Sequence, residues 1–573
     1  MSHKDTQRVD SFFYQQNFSG VIFVGILLLA MIWFGALDLR HLIPSDEGRY
    51  AEIAREMVIS GNWLVPRYNE YLYFEKPPLQ MWATALTFEI FGLGEWQARL
   101  WSGLTSFLAI IFVGYTASKL WSTPVGIVCA IVLAASPLWF VGGHFNSLDM
   151  GIAFFLSGAL LSLMLALHAQ PKSQTEMLWM LVCWSMMALA VLSKGLIGIV
   201  LPGLVLVVYS VTGKDFISLK RLHWFKGLIL FFVITSPWFV MISQKHPIFI
   251  DFFFIREHFE RFTSNEHRRS APWYFFLTLL LVGFIPWLFH LPRAFMQALA
   301  NRQDQISEFK PLWLCFIWVV SITLFFSMSN SKLPGYIFPV IPALAILTGH
   351  AIVHLFQSQK LTDHSSSKLW QVQLFFFGLL FLGGLFFVSK ISKSGQAHEV
   401  QAYTQYATII GATLVFGVLG CVSAWIFRHQ AIKSFIVYAT TMLVVALTAG
   451  TGHEYLGRAS SGYDLAMTAK PYIQKSDPLY GVKTLDHTVP FYLEHPLIMV
   501  EFQDELAFGI SQEPSRWIPT EKEWLEQWQA SPDKKAFALM RIPTYDDLVK
   551  QNVPMEIIAK DATRVIVGKP IKN

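Results

Sequence analysis

Charge is what this chain is short of. Asp, Glu, Lys and Arg make up only 14% of its 573 residues, against about 25% in soluble domains. Hydrophobic residues make up 54%, with 49 phenylalanines and 20 tryptophans. That excludes a disordered chain, which would be poor in apolar residues and rich in charge. It also argues against a string of soluble domains, because each core would need a polar shell that this chain can hardly supply. Cysteine is scarce too. Cys129, Cys183, Cys315 and Cys421 each lie in an apolar run, with no neighbour at metal-ligand spacing. They read as small apolar packing residues. No repeat with a period of about 20–50 residues is present. The net charge of +5 is small for this length and gives no footprint for nucleic acid. Residues 1–19 are polar, hold Lys4 and Arg8, and do not read as a cleavable signal, because the apolar stretch after them reaches spanning length without a small-residue cleavage site.

What the chain has is apolar length. A spanning helix needs about 20 apolar residues. Candidate runs lie near 20–37, 79–93, 98–118, 124–143, 148–168, 177–192, 195–211, 224–242, 273–290, 311–327, 334–355, 369–388, 407–427 and 432–449. The run at 79–93 is short, carries Thr84, Thr87 and Glu89, and follows a Pro-Pro pair. It reads as a helix in the interface. About thirteen spans remain. With the tail 1–19 inside, the inside loops hold Lys119, Lys172, Lys214, Arg293, Lys360 and Arg428, among others, as the positive-inside rule asks. Residues 450–573 then fall outside. They read as a small α/β domain, with strand pieces at Val482, 496–500, 535–542 and 557–567. Thr520 and Glu523 start a helix there, and a short helix opens at Thr544. Nothing in this domain looks catalytic. The expected fold is a polytopic α-helical membrane protein: a tail (1–19), a membrane domain (20–449) whose first outside loop (38–97) carries interfacial helices, and a C-terminal α/β domain (450–573).

The remaining charge collects on the outside face, in loops 38–97 and 243–272. Tyr50, Ile53, Ala54 and Met57 recur at helical spacing, so 47–59 reads as an amphipathic helix resting on the membrane, ended by Gly61. Asp46 suits its N-cap, yet Glu47 is also acidic and Arg49 follows. Glu75-Lys76 precedes Pro77-Pro78 and sits on a stiff extended turn. Asp149 stands at the outer end of a span, where an acid is expensive unless it faces a polar cavity; an N-cap is its plainer role. Lys194 and Lys332 break the positive-inside pattern, and Tyr336 follows close by. Snorkelling to headgroups is the plain reading. Contact with a membrane-bound phosphate, shared with Lys76, Arg256 and Arg261, is the sharper one.

At these residues the chain resembles the bacterial ArnT-type glycosyltransferases, relatives of the protein O-mannosyltransferases in the C-type class. The matching stretches are DEGRYAEIAREM (46–57), YFEKPPLQ (73–80), NSLDM ending beside Asp149, LSKG (192–195), REHFERF (256–262) and SKLPGYIFPVIP (331–342). The resemblance implies a sugar donor on a polyprenyl phosphate, used at the periplasmic face of the bacterial inner membrane. The sugar would be 4-amino-4-deoxy-L-arabinose and the acceptor a lipid A phosphate, giving polymyxin resistance. Asp46, Glu47 and Asp149 would be the acidic catalytic residues. Lys76, Lys194, Arg261, Tyr336, Arg49, Arg256 and Lys332 would hold the donor phosphate. Glu75 and His258 would bind a divalent metal such as zinc. Membrane lipids would surround the protein.

Two other readings stay open. One is a transferase acting on protein or another glycan. The other is a lipid-linked sugar flippase, which would bury charge mid-span near broken helices; here the acids lie at span ends and in one outside loop.

Overall fold

Each of the thirteen apolar runs read as a span folds as helix in the computed structural model, which describes residues 18–260, 271–303, 309–359, 368–393, 399–530 and 534–570. Among the described residues, ten helices are long and apolar enough to cross a membrane. Two further runs are bent pairs. Thr123–Ala134 and Pro137–Gly143 meet at 68°, and Phe275–Gly283 meets Ile285–Gln303 at 91°. Both breaks fall at a proline, Pro137 and Pro286, which supplies no N–H and restricts the residue before it. Ile197–Gly213 has 17 residues and contains Pro202. Helix Leu148–His168 is buried along its whole length and packs on Glu95–Leu120 and Gln174–Lys194. The first span and Trp224–Lys245 are mostly exposed, as suits helices that face lipid.

The loop 38–97 departs from expectation. Helix Asp46–Ser60 forms and ends at Gly61, whose φ of 64° is left-handed. Ser45, not Asp46, occupies the N-cap position, and Asp46 is the first helical residue. Carboxylates in the first turn still favour the helix through its dipole. The helix does not rest on a membrane with a solvated polar face. Every residue from Glu47 to Met57 is buried, because the C-terminal domain covers the polar side. Glu52 and Arg55 pair with each other inside, at 2.6 and 2.7 Å. Periodicity reports the apolar stripe; it does not report a lid over the other face.

A hairpin follows: β1 (Arg67–Tyr68) and β2 (Tyr71–Leu72), antiparallel. Its two turn residues, Asn69 and Glu70, have φ of 54° and 64°, the pattern of a tight hairpin turn. The Asn69 amide clasps Leu497 of the C-terminal domain: its Nδ2 donates to the Leu497 carbonyl at 2.7 Å and its Oδ1 accepts from the Leu497 N–H at 2.6 Å. Glu75 and Lys76 lie on a non-helical turn, and helix Leu79–Phe91 begins after Pro78.

The last apolar helix, Ala431–Gly452, is followed by helix Glu454–Ser461. The α/β domain then opens at Gly462, later than residue 450. Its strands are β3 (Leu479–Val482), β4 (Ile498–Val500), β5 (Phe537–Arg541), β6 (Glu556–Lys560) and β7 (Arg564–Gly568), in the order β4-β3-β5-β7-β6. β3 runs parallel to β4 and β5, and β7 antiparallel to β5 and β6. The run 557–567 is therefore a hairpin rather than one strand. Asp561 turns it by accepting from the N–H groups of Thr563 and Arg564 at 2.8 and 2.6 Å. Helix Glu521–Ala530 starts after Thr520, whose hydroxyl accepts from the Glu523 N–H at 3.2 Å.

The domain docks on the loop 38–97. Phe508 packs on Phe74 and Phe252. Tyr492 accepts from the Leu42 N–H at 2.8 Å. Arg67 forks onto Glu513 at 2.8 and 2.9 Å.

Candidate active site at the ends of the spans

The four residues Asp46-Glu47-Gly48-Arg49 sit on one helical turn and do different work. Glu47 is fully buried. Its carboxylate accepts from Arg40 at 2.5 and 2.9 Å, from Arg99 at 2.7 and 3.1 Å, from the Ile43 N–H at 3.2 Å and from the Asn146 N–H at 3.0 Å. Burial alone would raise its pKa; the two guanidinium groups outweigh burial and hold it at about 2. A carboxylate with every lone pair taken up cannot also act on a substrate. The expectation that Glu47 is catalytic is corrected here: it pins the loop to the span Glu95–Leu120. Asn146 returns the contact by donating to the Glu47 carbonyl at 3.2 Å, and so the segment leading to Asp149 is tied in as well.

Gly48 lets the C-terminal domain approach. A Cβ there would collide with the backbone carbonyl of His487. Arg49 joins two carboxylates. Its Nη2 lies 2.6 Å from Glu505 and its Nη1 3.6 Å from Asp46. It was expected to hold donor phosphate; in the structure its fork is directed at carboxylates. Asp46 keeps about a third of its side chain exposed and lies within electrostatic reach of Tyr50, Arg49 and Lys194.

A second group forms where three helices end. Asp149 and Lys194 make a mostly buried ion pair. The Lys194 ammonium sits 4.4 Å from the centroid of the Tyr336 ring, a cation–π arrangement. Tyr336 is carried by the turn Pro334–Val340, and Gly335 is tight against the Asp149 carboxylate, with no room for a Cβ. Ser147, not Asp149, caps helix Leu148–His168, accepting from the Asp149 N–H at 3.3 Å. The Asp149 carboxylate is thereby left for Lys194.

The structure thus brings Asp46, Asp149, Lys194 and Tyr336 together. It does not gather every expected residue. Lys76 donates to the carbonyl of its own neighbour Glu75 at 2.8 Å. Lys332 folds back onto the Ser329 carbonyl at 2.6 Å. Arg256 is exposed on the helix Asp251–Glu260. Arg261 and the side chain of His258 lie outside the described residues. Among the described residues, no group of three His, Cys, Asp or Glu side chains is placed to hold a metal. The expected pair Glu75 and His258 falls outside that statement, because the His258 side chain is not described, and no step below runs through a metal.

Two site residues come from the domain that looked inert. Glu505 reaches Arg49, and His487 Nδ1 lies 3.2 Å from Glu505 and 2.8 Å from the Tyr68 hydroxyl. Burial raises the Glu505 carboxyl; Arg49 opposes this, but Glu75, Asp504 and Asp46 add to it, and the result is about 7. Burial, with Arg49 nearby, pushes His487 down to about 4. It is neutral at pH 7. Arg99 was missed too, though a lone arginine opening an apolar run was a readable signal. Glu505 had none: it stands in the ordinary polar stretch Gln503-Asp504-Glu505.

Comparison with known proteins finds relatives across most of the chain. A family model described as "Aminoarabinose transferase C-terminal domain" matches residues 465–569. One described as "Dolichyl-phosphate-mannose-protein mannosyltransferase" matches residues 75–241. A Pseudomonas fluorescens protein named undecaprenyl phosphate-alpha-4-amino-4-deoxy-L-arabinose arabinosyl transferase 2 is 31% identical over 386 residues, covering 66% of this chain and 67% of its own. A similarly named Edwardsiella ictaluri protein is 28% identical over 540 residues, covering 92% and 94%. The crystal structure of ArnT from Cupriavidus metallidurans bound to undecaprenyl phosphate superposes with a TM-score of 0.89 at 38% identity, covering 96% of this chain and 98% of that one.

Proposed function

Because the chain belongs to the ArnT-type glycosyltransferases, we propose that its outer-face cluster transfers 4-amino-4-deoxy-L-arabinose from undecaprenyl phosphate to a lipid A phosphate. The protein is a multi-pass membrane glycosyltransferase that uses an undecaprenyl-phosphate-linked sugar. The acceptor, the role of each residue and a periplasmic site in the bacterial inner membrane belong to the proposal. The side is supported by the basic loops on the opposite face.

The observation that carries the reading is the Asp149–Lys194–Tyr336 group beside Asp46. An ammonium has three donors. Lys194 can keep Asp149 and still offer N–H to a phosphate oxygen. Tyr336 and Asp149 fix its place, so little reorganisation is needed when charge builds on the leaving phosphate. In the transfer, an acceptor oxygen forms a bond to the anomeric carbon from one side. The bond from that carbon to the polyprenyl phosphate oxygen breaks on the other side. The configuration inverts and polyprenyl phosphate departs with the electron pair. An acceptor phosphate is already ionised and needs no general base, so Asp46 orients it through the acceptor's remaining proton or hydroxyl groups. Lys76 and Arg261 would add positive charge on the donor side. Zinc at Glu75 and His258 is a separate proposal, checked by metal analysis of the purified protein.

The test is transfer measured with purified protein, an undecaprenyl-phosphate aminoarabinose donor and lipid A. Asp46→Asn and Lys194→Ala are each expected to reduce kcat/KM by about 100-fold or more. Wild-type rates in both would overturn the assignment.

A further inference from the structure

Asn146 stands where three parts of the site meet. It precedes Asp149 by three residues and is fully buried. Its N–H donates to the Glu47 carboxylate at 3.0 Å, and its Nδ2 donates to the Glu47 carbonyl at 3.2 Å. Its Oδ1 accepts from Gln80 Nε2 at 3.0 Å. A carbonyl can only accept, so Nδ2 must face Glu47 and Oδ1 must face Gln80. Gln80 is 1% exposed and is the second residue of helix Leu79–Phe91. Lys76 lies four residues before it, with Pro77-Pro78 between. Proline fixes φ and leaves little slack in that link. Asp46 directly precedes Glu47. One amide therefore spaces three segments: the turn that carries Asp46, the turn that carries Glu75 and Lys76, and the span end that carries Asp149 with Lys194 paired to it.

These segments are also held by larger contacts. Glu47 is tied to Arg99. Helix Leu79–Phe91 packs on Asp46–Ser60 and on Glu95–Leu120, and Leu148–His168 is buried along its length. Beside these, one neutral hydrogen bond adds little to folding. Gln80 even carries a cost, because its Oε1 is buried and accepts no hydrogen bond. A methionine would fill the same space without that cost. What glutamine adds is a donor aimed at Asn146. Both side chains are sealed from solvent, so neither offers a surface to a ligand. Spacing is the effect left to them, and a displacement of about 1 Å between reacting groups can cost about 100-fold in rate.

We propose that Gln80 and Asn146 are positioning residues that set the spacing of Asp46, Lys76 and Asp149 for the transfer and touch neither donor nor acceptor. This rests on the reading that the site transfers a sugar from polyprenyl phosphate. A misplaced group is felt in the transition state more than in the bound complex, so the loss falls on kcat and not on KM.

The experiment uses the full chain in detergent or proteoliposomes, with the undecaprenyl-phosphate aminoarabinose donor and lipid A. Gln80→Met keeps the length and removes the donor. Gln80→Asn keeps an amide but is one methylene too short to reach Asn146. Each is expected to lower kcat about 10- to 100-fold, to change KM for the donor less than about threefold, and to keep Tm within about 4 °C of wild type. Gln80→Met combined with Asn146→Ala is expected to lose no more kcat than Asn146→Ala alone, because both break one path. Wild-type kcat in either Gln80 variant overturns the inference. So does a raised KM at unchanged kcat, which would make Gln80 a substrate contact. A fall in Tm matched by the loss of activity, or failure of both variants to fold, would reduce the pair to a structural role. If wild type transfers sugar and these results go against Gln80, the proposed function stands without it. If wild type transfers none, both fall.

Discussion

Arg99 and Glu47, 52 residues apart, face each other with no solvent between them, joined by hydrogen bonds of 2.7 and 3.1 Å. Arg99 also donates to the carbonyls of Leu37, Arg40 and His41 at 2.9, 2.6 and 2.9 Å. The pair therefore fastens the end of the first span, the loop helix and the span Glu95–Leu120 to one point. Removing one partner leaves a buried charge uncompensated, which costs about 3–5 kcal/mol. Glu47→Gln should lower thermal stability by that order and reduce kcat/KM, because Asp46 and the segment before Asp149 hang on it. Thermal unfolding and transfer rates check this. A stable Glu47→Gln protein with full activity would refute it.

The acid sensitivity of that contact has a defined sign. The Glu47 carboxyl is at about 2 in the folded protein, against an ordinary value of 4.5. A depressed pKa contributes stability that is present above the unfolded value and is lost as pH falls toward the folded one. Wild type should lose stability between pH ~4.5 and ~2, by roughly 3 kcal/mol from this group. Glu47→Gln should lack that part of the decline.

Glu505 carries the opposite sign. Its carboxyl is raised from 4.5 to about 7, so its contribution is present below the unfolded value and is lost as pH rises through the folded one. The groups facing it are Arg49, Asp46, Glu75, Asp504 and His487. His487, lowered from 6.5 to about 4, pushes stability the other way as pH rises through that interval. The difference between Glu505→Gln and wild type isolates Glu505. The variant should gain relative stability as pH rises from ~4.5 to ~7 and hold that gain above. Paired melting curves across this range are the measurement.

Gly48 is a test of docking. A methyl group there meets the His487 carbonyl and Thr488. Gly48→Ala should displace the C-terminal domain, expose the loop helix to proteolysis and lower transfer at least tenfold, while the membrane spans stay folded. The effect of overpacking is about 1–3 kcal/mol. Limited proteolysis alongside the transfer assay reads both.

The Lys194 site separates charge from ring. Tyr336→Phe keeps a π face under the ammonium and should cost less than about threefold in kcat/KM. Tyr336→Ala removes the face and should cost tenfold or more. Comparable losses in both would assign the effect to the hydroxyl instead.

Much of this protein was determined by the sequence alone. Apolar runs of spanning length force helices, because in a bilayer every backbone polar group must find its partner within the segment. Gly61 marks the end of the loop helix, whereas the bends at Pro137 and Pro286 lie inside runs that read as single spans. The scarcity of charge made Asp46, Asp149 and Lys194 conspicuous at the span ends. What only the tertiary structure decided is how neighbouring residues divide their work. Asp46 and Glu47 are adjacent acids in the sequence. One is partly exposed beside Lys194; the other is sealed between Arg40 and Arg99. Glu505 is one acid in a polar stretch until the domain closes over the loop helix and sets it against Arg49. Burial and partner choice over hundreds of residues of separation are set by packing, and packing has no local signature in the chain.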